Sequence, residues 1–182
     1  MMQANKLQIN RDKLILVNSQ DEITGFGDKE ECHNGAGILH RAFSVFIFNS
    51  QGEVLLQQRS KNKRLWPMYW SNSCCSHPAP GETYEEAALR RIYEELKIKT
   101  PLKKHYIFEY QAKFSNKGSE NEMCAVLSGT YDGDISADKE EIEATRWISP
   151  SDLTLEIQNY PENFTPWFKI FLWKEIKGIF EF

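Results

Sequence analysis

The sequence predicts an α+β domain in α/β/α layering, a mixed sheet flanked by helices, and three observations carry that expectation. Strand-like apolar runs are joined mainly as hairpins, one long amphipathic helix is inserted among them, and further helical segments lie near the end. In chain order, KLILVN (13–18) is apolar and branched and reads as a strand, and DEITGFGDKE after it reads as turn and loop. AFSVFIFN (42–49), the turn SQG and EVLLQQR (53–59) read as a hairpin. In SKNKRLWPMYW (60–70) Pro67 stops any regular element. Thr83 followed by Glu86 matches a capping box and predicts a helix over 83–97, with Ala88, Leu89, Ile92 and Leu96 as its apolar stripe and Arg91 and Glu95 sharing another face. HYIFEYQAKF (105–114) and EMCAVLSGTY (122–131) read as strands around the polar loop SNKGSEN, and EATRWIS (143–149) as a shorter one. Past Pro150 the chain turns helical and ends in FTPWFKIFLWKEIKGIF.

A length of 182 residues without repeat, low-complexity tract or linker predicts one domain over 1–182. No apolar run approaches the roughly 18 residues of a membrane span, and the N-terminal residues lack the features of a secretory signal. A cytoplasmic protein with reduced thiols is expected. Four cysteines, Cys32, Cys74, Cys75 and Cys124, are too few and too oddly spaced for a disulfide framework or a Cys-only zinc site. A net charge of −4 gives no field to attract nucleic acid, so any anionic ligand must be held by local cations.

Chemistry-bearing residues come in three groups. His33, His40 and His77 sit in segments dense with polar residues and glycine; each taken alone is as well explained as a hydrogen-bonded structural histidine. Glu120 and Glu122 flank Asn121 at the start of a strand, where the two-residue period puts both carboxylates on one face, about 7 Å apart. Such a pair is either a solvated edge or half of a hard-to-borderline metal site. The helix carries Glu82, Arg90, Arg91, Glu94 and Glu95, either a solvent face of i,i+4 pairs or carboxylates for Mg²⁺ and arginines for phosphate. The adjacent Cys74 and Cys75 cannot form a C-x-x-C site.

SNSCCSHP followed by GETYEEAALRRIYEEL resembles the active-site region of the type 1 isopentenyl-diphosphate delta-isomerases of the Nudix superfamily. Further matches lie in order along the chain: His33 and His40 at H-x6-H, Trp66 to Pro78 at WPxxWxNSxCxHP, Tyr110 ten residues before Glu120, and FTPW ending at Trp167. Against the Nudix box, Glu82, Arg90, Glu94 and Glu95 match. Ser76, Arg91 and Lys97 replace its first glycine, its first glutamate after the arginine, and its last glycine. Arg91 removes a glutamate that Nudix hydrolases use in metal and water chemistry, which disfavours the rival reading, a Nudix diphosphohydrolase. A metal-stabilised binding module without catalysis is the second rival. A positive φ at Ser76 would cost serine more than glycine.

The resemblance implies a Nudix-like fold and the interconversion of isopentenyl and dimethylallyl diphosphate. It implies catalytic roles for Cys75 on one face, Glu122 with Tyr110 on the other, and Trp167 as an indole facing the carbocation. Metal ligands map to His33, His40, His77, Glu120 and Glu122 for Mn²⁺ or Zn²⁺, and Glu95 maps to Mg²⁺ bound with the substrate diphosphate. Lys29, Arg59, Lys63 and Arg91 map to diphosphate cations. Lys61 and Arg64, in RSKNKR, and His105 have no such counterpart and read as solvated or structural. The implied partner is a small-molecule isoprenoid diphosphate, with no nucleic acid and no membrane, in a monomer or weak homodimer.

Overall fold

A computed structural model describes residues 11–175. The chain past 175, including the end of the predicted C-terminal helix, and the first ten residues lie outside the described residues.

The central strand is β3 (His40–Phe48), whose HRAFSVFIF is buried almost throughout. A strand buried on both faces carries continuous apolar sequence rather than alternation. Phe43, Val45 and Ile47 face one apolar layer, and Ala42, Phe46 and Phe48 face the other. β8 (Gly118–Thr130) runs parallel to β3 from His40 opposite Glu122 to Phe48 opposite Thr130, and β7 (Lys103–Phe114) pairs antiparallel with β8. On its other edge β3 meets β1 (Lys13–Val17) at His40 and β6 (Cys74–Ser76) from Phe43 to Val45.

Three features differ from the sequence-based expectation. The hairpin predicted over 42–59 is a turn with a single strand rung, Phe48 opposite Val54. Asn49 builds the turn by accepting from the amides of Gln51 and Glu53, but β4 (Val54–Arg59) then diverges to pair with β5 (Trp70–Ser71) and β9 (Ile142–Ile148). β6 occupies the β3 edge that a regular hairpin would have used. The segment read as loop after β1 is in part a strand, β2 (Ile23–Asp28), paired to β1 at the sheet margin. Its glycines and mostly exposed side chains leave no apolar signal. Residues 118–121, read as part of a polar loop, belong to β8.

The layering is as expected. α2 (Tyr84–Leu96) starts at the capping box of Thr83 and Glu86 and buries Tyr84, Ala87, Ala88, Ile92 and Leu96 against Phe43, Val45, Ile47 and Leu55. Leu89 is 42% exposed, because the buried stripe runs through Ala88, one position or about 100° away around the helix. The opposite layer is α3 (Pro150–Asn159), begun by the Ser149 cap and Pro150, and α4 (Pro166–Glu175), which place Leu153, Ile157, Trp167 and Phe168 against Phe46, Leu56 and Val126. A single turn, α1 (Lys29–Cys32), links β2 to the segment before β3.

Two departures from the Nudix box have local consequences. Ser76 lies in β6 and has no positive φ, so serine there carries no left-handed strain. Lys97, in place of the last glycine, ends α2 at φ 60°, ψ 18°, the left-handed conformation that glycine enters without penalty. Lys97→Gly should therefore stabilise the protein by about 1 kcal/mol, raising Tm by roughly 2–4 °C in a chain of this size. A lowered Tm in a calorimetric scan would contradict this account of the helix end.

Candidate active site and metal centre

The imidazoles of His33, His40 and His77 converge, with ring centroids 4.9 to 5.3 Å apart. Their elements explain the meeting. His33 caps the C-terminus of α1, and its carbonyl is fixed by the amide of Ser119. A side chain on the intervening Gly118, at φ +148°, would come within 2.3 Å of that carbonyl, so glycine allows the β7–β8 turn to close on His33. His40 begins β3, and His77 follows β6. Glu122 lies opposite His40 in the parallel register, and Glu120, two residues earlier, shares its face. One ligand atom from each of these five residues lies within 4.8 Å of the others.

Hydrogen bonds set the chemistry of the rings. His33 Nδ1 bonds the Lys29 carbonyl and His40 Nδ1 the Ile38 carbonyl, both at 2.6 Å. Each Nδ1 is then the donor of that bond, and each Nε2 is turned toward the cluster. His40 Nε2 is fully buried with no hydrogen-bond partner. Burial and the neighbouring imidazoles drive His77 well below its ordinary range and His40 to about 4. Three converging buried or half-buried imidazoles, an orphaned ring nitrogen and two carboxylates are a donor set that fits a divalent cation.

The two carboxylates are differentiated. Burial alone would raise Glu120, but the imidazole of His33, whose Nε2 lies 2.9 Å from Oε2, outweighs it and brings the carboxyl below the usual range. Burial, with the charge of Glu120, pushes Glu122 well above it. Glu122 Oε1 lies 3.1 Å from His77 Nε2, and Oε2 accepts from the Tyr110 hydroxyl, which burial and Glu122 keep protonated. Glu122 thus links an imidazole of the cluster to a phenol.

Cys75 stands across β3 from that pair. Ser44 of β3 is opposite Cys75 on β6 and opposite Val126 on β8, so the thiol and Glu122 lie on strands separated by two strand spacings, about 10 Å. Cys75 Sγ–H donates to Asn72 Oδ1 at 2.9 Å. That oxygen is committed as an acceptor, because the Asn72 amide nitrogen donates to the carbonyls of Val45 and Cys74. Ser71 bonds the same Asn72 oxygen and accepts from Trp167 Nε1–H at 3.0 Å, tying the indole to the thiol. Burial pushes the Cys75 thiol up, only partly offset by Ser44 and Arg59. Arg59 acts as a nearby cation should, toward thiolate, but burial outweighs it. Cys74 points to the opposite layer, where it is fully buried as apolar filling.

Cys75, His33, His77, Tyr110, Glu120, Glu122 and Trp167 face one cavity of about 570 Å³. Lys29, Arg59, Lys63 and Arg91 line it as well. Arg59 donates to the Leu65 and Trp66 carbonyls and stands 5.3 Å over the Trp167 ring, and among the described residues no carboxylate pairs with it. Lys63 and Arg91 are instead ion-paired: Lys63 with Glu141, and Arg91 with Glu94, Glu95 and Glu141. Glu95 stands apart from the histidine cluster, buried at 3% exposure.

Of the residues without an assigned role, His105 bonds Ser128 as a structural histidine would, and Lys61 is exposed. Arg64, read as a solvated basic residue, is exposed as expected, and its guanidinium also borders the cavity and donates to the Glu30 and Lys117 carbonyls and the Asn34 side chain. Sequence reasoning missed Asn72 as the acceptor for Cys75, although it sits three residues away. It also missed Glu141, whose acidic segment reads as solvent-facing.

The NUDIX domain family matches residues 38–168. Among curated relatives, "Isopentenyl-diphosphate Delta-isomerase 1" of Photorhabdus laumondii is 41% identical, covering 87% of this chain and 91% of its own. The "Isopentenyl-diphosphate Delta-isomerase" of Burkholderia multivorans is 40% identical, covering 86% and 89%. A crystal structure of a Deinococcus radiodurans protein superposes with a TM-score of 0.67 at 25% identity, over 81% of this chain and 89% of that one. The MutT protein of Methanosarcina mazei, with a TM-score of 0.61 at 20% identity over 75% and 91%, shows the shared fold alone. No helix among the described residues is long and apolar enough to cross a membrane.

The raised Cys75 thiol makes a prediction. Cys75 is the one cysteine of the four that is not fully buried. In chelator-treated protein its alkylation by iodoacetamide should still be accelerating beyond about pH 8.5, the ordinary thiol value. A rate that levels off below that pH would show the thiolate to be the resting form.

Proposed function

We propose that this chain, which belongs to the NUDIX family and within it to the isopentenyl-diphosphate Delta-isomerases, interconverts isopentenyl and dimethylallyl diphosphate by proton addition and removal through a carbocation. The observation that carries the reading is the placement of a protonated thiol and a carboxyl–phenol pair on opposite edges of β3, facing one cation-lined cavity. A 1,3-proton shift needs a donor and an acceptor at separate carbons. Addition of a proton to the terminal alkene carbon leaves a tertiary cation, and loss of a proton from the adjacent methylene forms the product.

Cys75 and the Glu122–Tyr110 pair are the two proton-handling groups. The Asn72 carbonyl holds the thiol proton in place before reaction, and Tyr110 passes a proton to or from Glu122 through the hydrogen bond they share. Trp167 gives the cavity an aromatic wall, and an indole face stabilises a desolvated cation by about 2 kcal/mol. Arg59, together with Lys29, Lys63 and Arg91, holds the diphosphate. Bound divalent cations would supply fixed positive charge, Mn²⁺ or Zn²⁺ at His33, His40, His77, Glu120 and Glu122, and Mg²⁺ at Glu95 with the diphosphate oxygens. The partner is a small isoprenoid diphosphate and the compartment the cytoplasm, with the whole chain acting as one domain.

The hydrolase alternative lacks support at Arg91, which stands where a water- or metal-handling glutamate is needed and is itself ion-paired to three carboxylates. Proton and phosphorus NMR of the protein with isopentenyl diphosphate and Mg²⁺ in D₂O tests the assignment. Deuterium in an emerging dimethylallyl product with intact diphosphate signals is the expected result, and release of phosphate would overturn it. Cys75→Ala should lower turnover by about a thousandfold or more while metal content stays at the wild-type level. Retained turnover would remove the thiol from the mechanism. Glu122→Gln should lose metal and activity together, and full occupancy by elemental analysis would separate its two roles.

A further inference from the structure

Glu141 belongs to no motif, lies at the β9 end of the loop after Asp138, and yet contacts two of the cations that line the cavity. Its Oε1 accepts from Arg91 Nη2 at 3.0 Å, and its Oε2 pairs with Lys63. The same Arg91 nitrogen also meets Glu95, and Nη1 meets Glu94, which Arg90 shares. Glu141 therefore offsets positive charge that Lys63 and Arg91 bring to the cavity wall, and Glu95, which burial pushes up, shares Arg91 with it. Lys63 and Arg91 shift Glu141 down to about 2, so the carboxylate is charged throughout the neutral range.

We infer that Glu141 is a specificity-determining residue that makes diphosphate binding depend on magnesium, by keeping Lys63 and Arg91 ion-paired and the site unfavourable to a metal-free diphosphate. The inference rests on the diphosphate reading of this cavity given above. The physical argument is one of charge. A diphosphate ester arriving alone must share Lys63 and Arg91 with two buried or half-buried carboxylates, and like charges held a few ångströms apart in a partly desolvated site repel by kcal-scale energies. A divalent cation arriving with it supplies the missing positive charge. The ion pairs also fix both cationic side chains against the cavity wall, so selectivity costs little in their positioning. Neutralising Glu141 without changing its shape removes the repulsion and leaves the other groups intact. Its backbone contacts, the amide to the Asp138 carbonyl and the carbonyl to the Ser60 amide, do not involve the side chain.

The test is isothermal calorimetry of inorganic pyrophosphate binding, with and without saturating magnesium, on the wild type, Glu141→Gln and Glu141→Asp. The wild type should bind strongly only with magnesium. Glu141→Gln should bind metal-free pyrophosphate about tenfold or more tighter than the wild type, and its magnesium dependence should shrink by the same factor. Glu141→Asp keeps the charge and should retain the wild-type dependence. Should the glutamine variant fail the thermal-melt check for folding, Glu141→Ala replaces it with the same expectation. Metal-free binding that is unchanged or weaker in the neutral variant overturns the inference, since Glu141 would then act only by holding the cations in place; so does an aspartate variant that behaves like glutamine. A wild type that binds pyrophosphate under neither condition removes the diphosphate reading itself, an outcome distinct from a failure of Glu141 alone.

Discussion

The parallel register of β3 on β8 sets His40 opposite Glu122, and the chemistry of the site descends from it. A slip of one residue would turn Glu120 and Glu122 to the other face of the sheet, against α2, and leave His40 with no carboxylate beside it. The register is protected because both faces of β3 are packed. Phe43, Val45 and Ile47 interlock with α2, and Phe46 and Phe48 with the layer of α3 and α4. The apolar layers thus hold a polar row that could not hold itself together, since buried imidazoles and carboxylates pay desolvation.

That cost shapes the protonation states. In the metal-free protein, burial keeps the Cys75 thiol, the Tyr110 hydroxyl and the His40 and His77 rings in their neutral forms, and it pushes Glu122 toward protonation while Glu120 stays ionised against His33. A site of neutral proton carriers suits the protonation of an unactivated alkene, where a solvated ion would compete with the substrate. The charge needed for an anionic ligand is carried by Arg59, Lys29, Lys63 and Arg91, which line the same cavity.

The family's Nudix box is here divided between structure and site. Glu82 and Arg90 form a two-bond ion pair at 2.7 Å, and Glu82 also accepts from the Ala79 amide, which closes the loop between β6 and α2. Arg91 joins the cavity wall to the Glu94, Glu95 and Glu141 carboxylates. Lys97 carries the backbone conformation of the lost glycine at some expense in strain. The box is therefore a scaffold whose chemical positions have been altered, in keeping with a family whose reaction is not hydrolysis.

The sequence by itself determined the layering, because the capping box at Thr83 and Glu86, the apolar runs at 42–49 and 122–131 and the Pro150 start are local signals with local causes. It also determined the pairing of Glu120 with Glu122, since a two-residue period needs no partner strand. That these residues form one candidate site was legible only through ordered motif matches, because His33, His40, His77 and Glu122 are far apart in the chain and no local rule brings them together. Tertiary structure alone decided that β4 leaves β3 after one rung and that β6 takes its place, which sets Cys75 across from Glu122. It alone decided that Asn72 must accept from the thiol, that the exposed Arg64 also holds loop carbonyls, and that Glu141 pairs with Lys63 and Arg91. Each of these depends on strand pairing or charge proximity between distant segments, a property of the folded chain that no stretch of sequence carries.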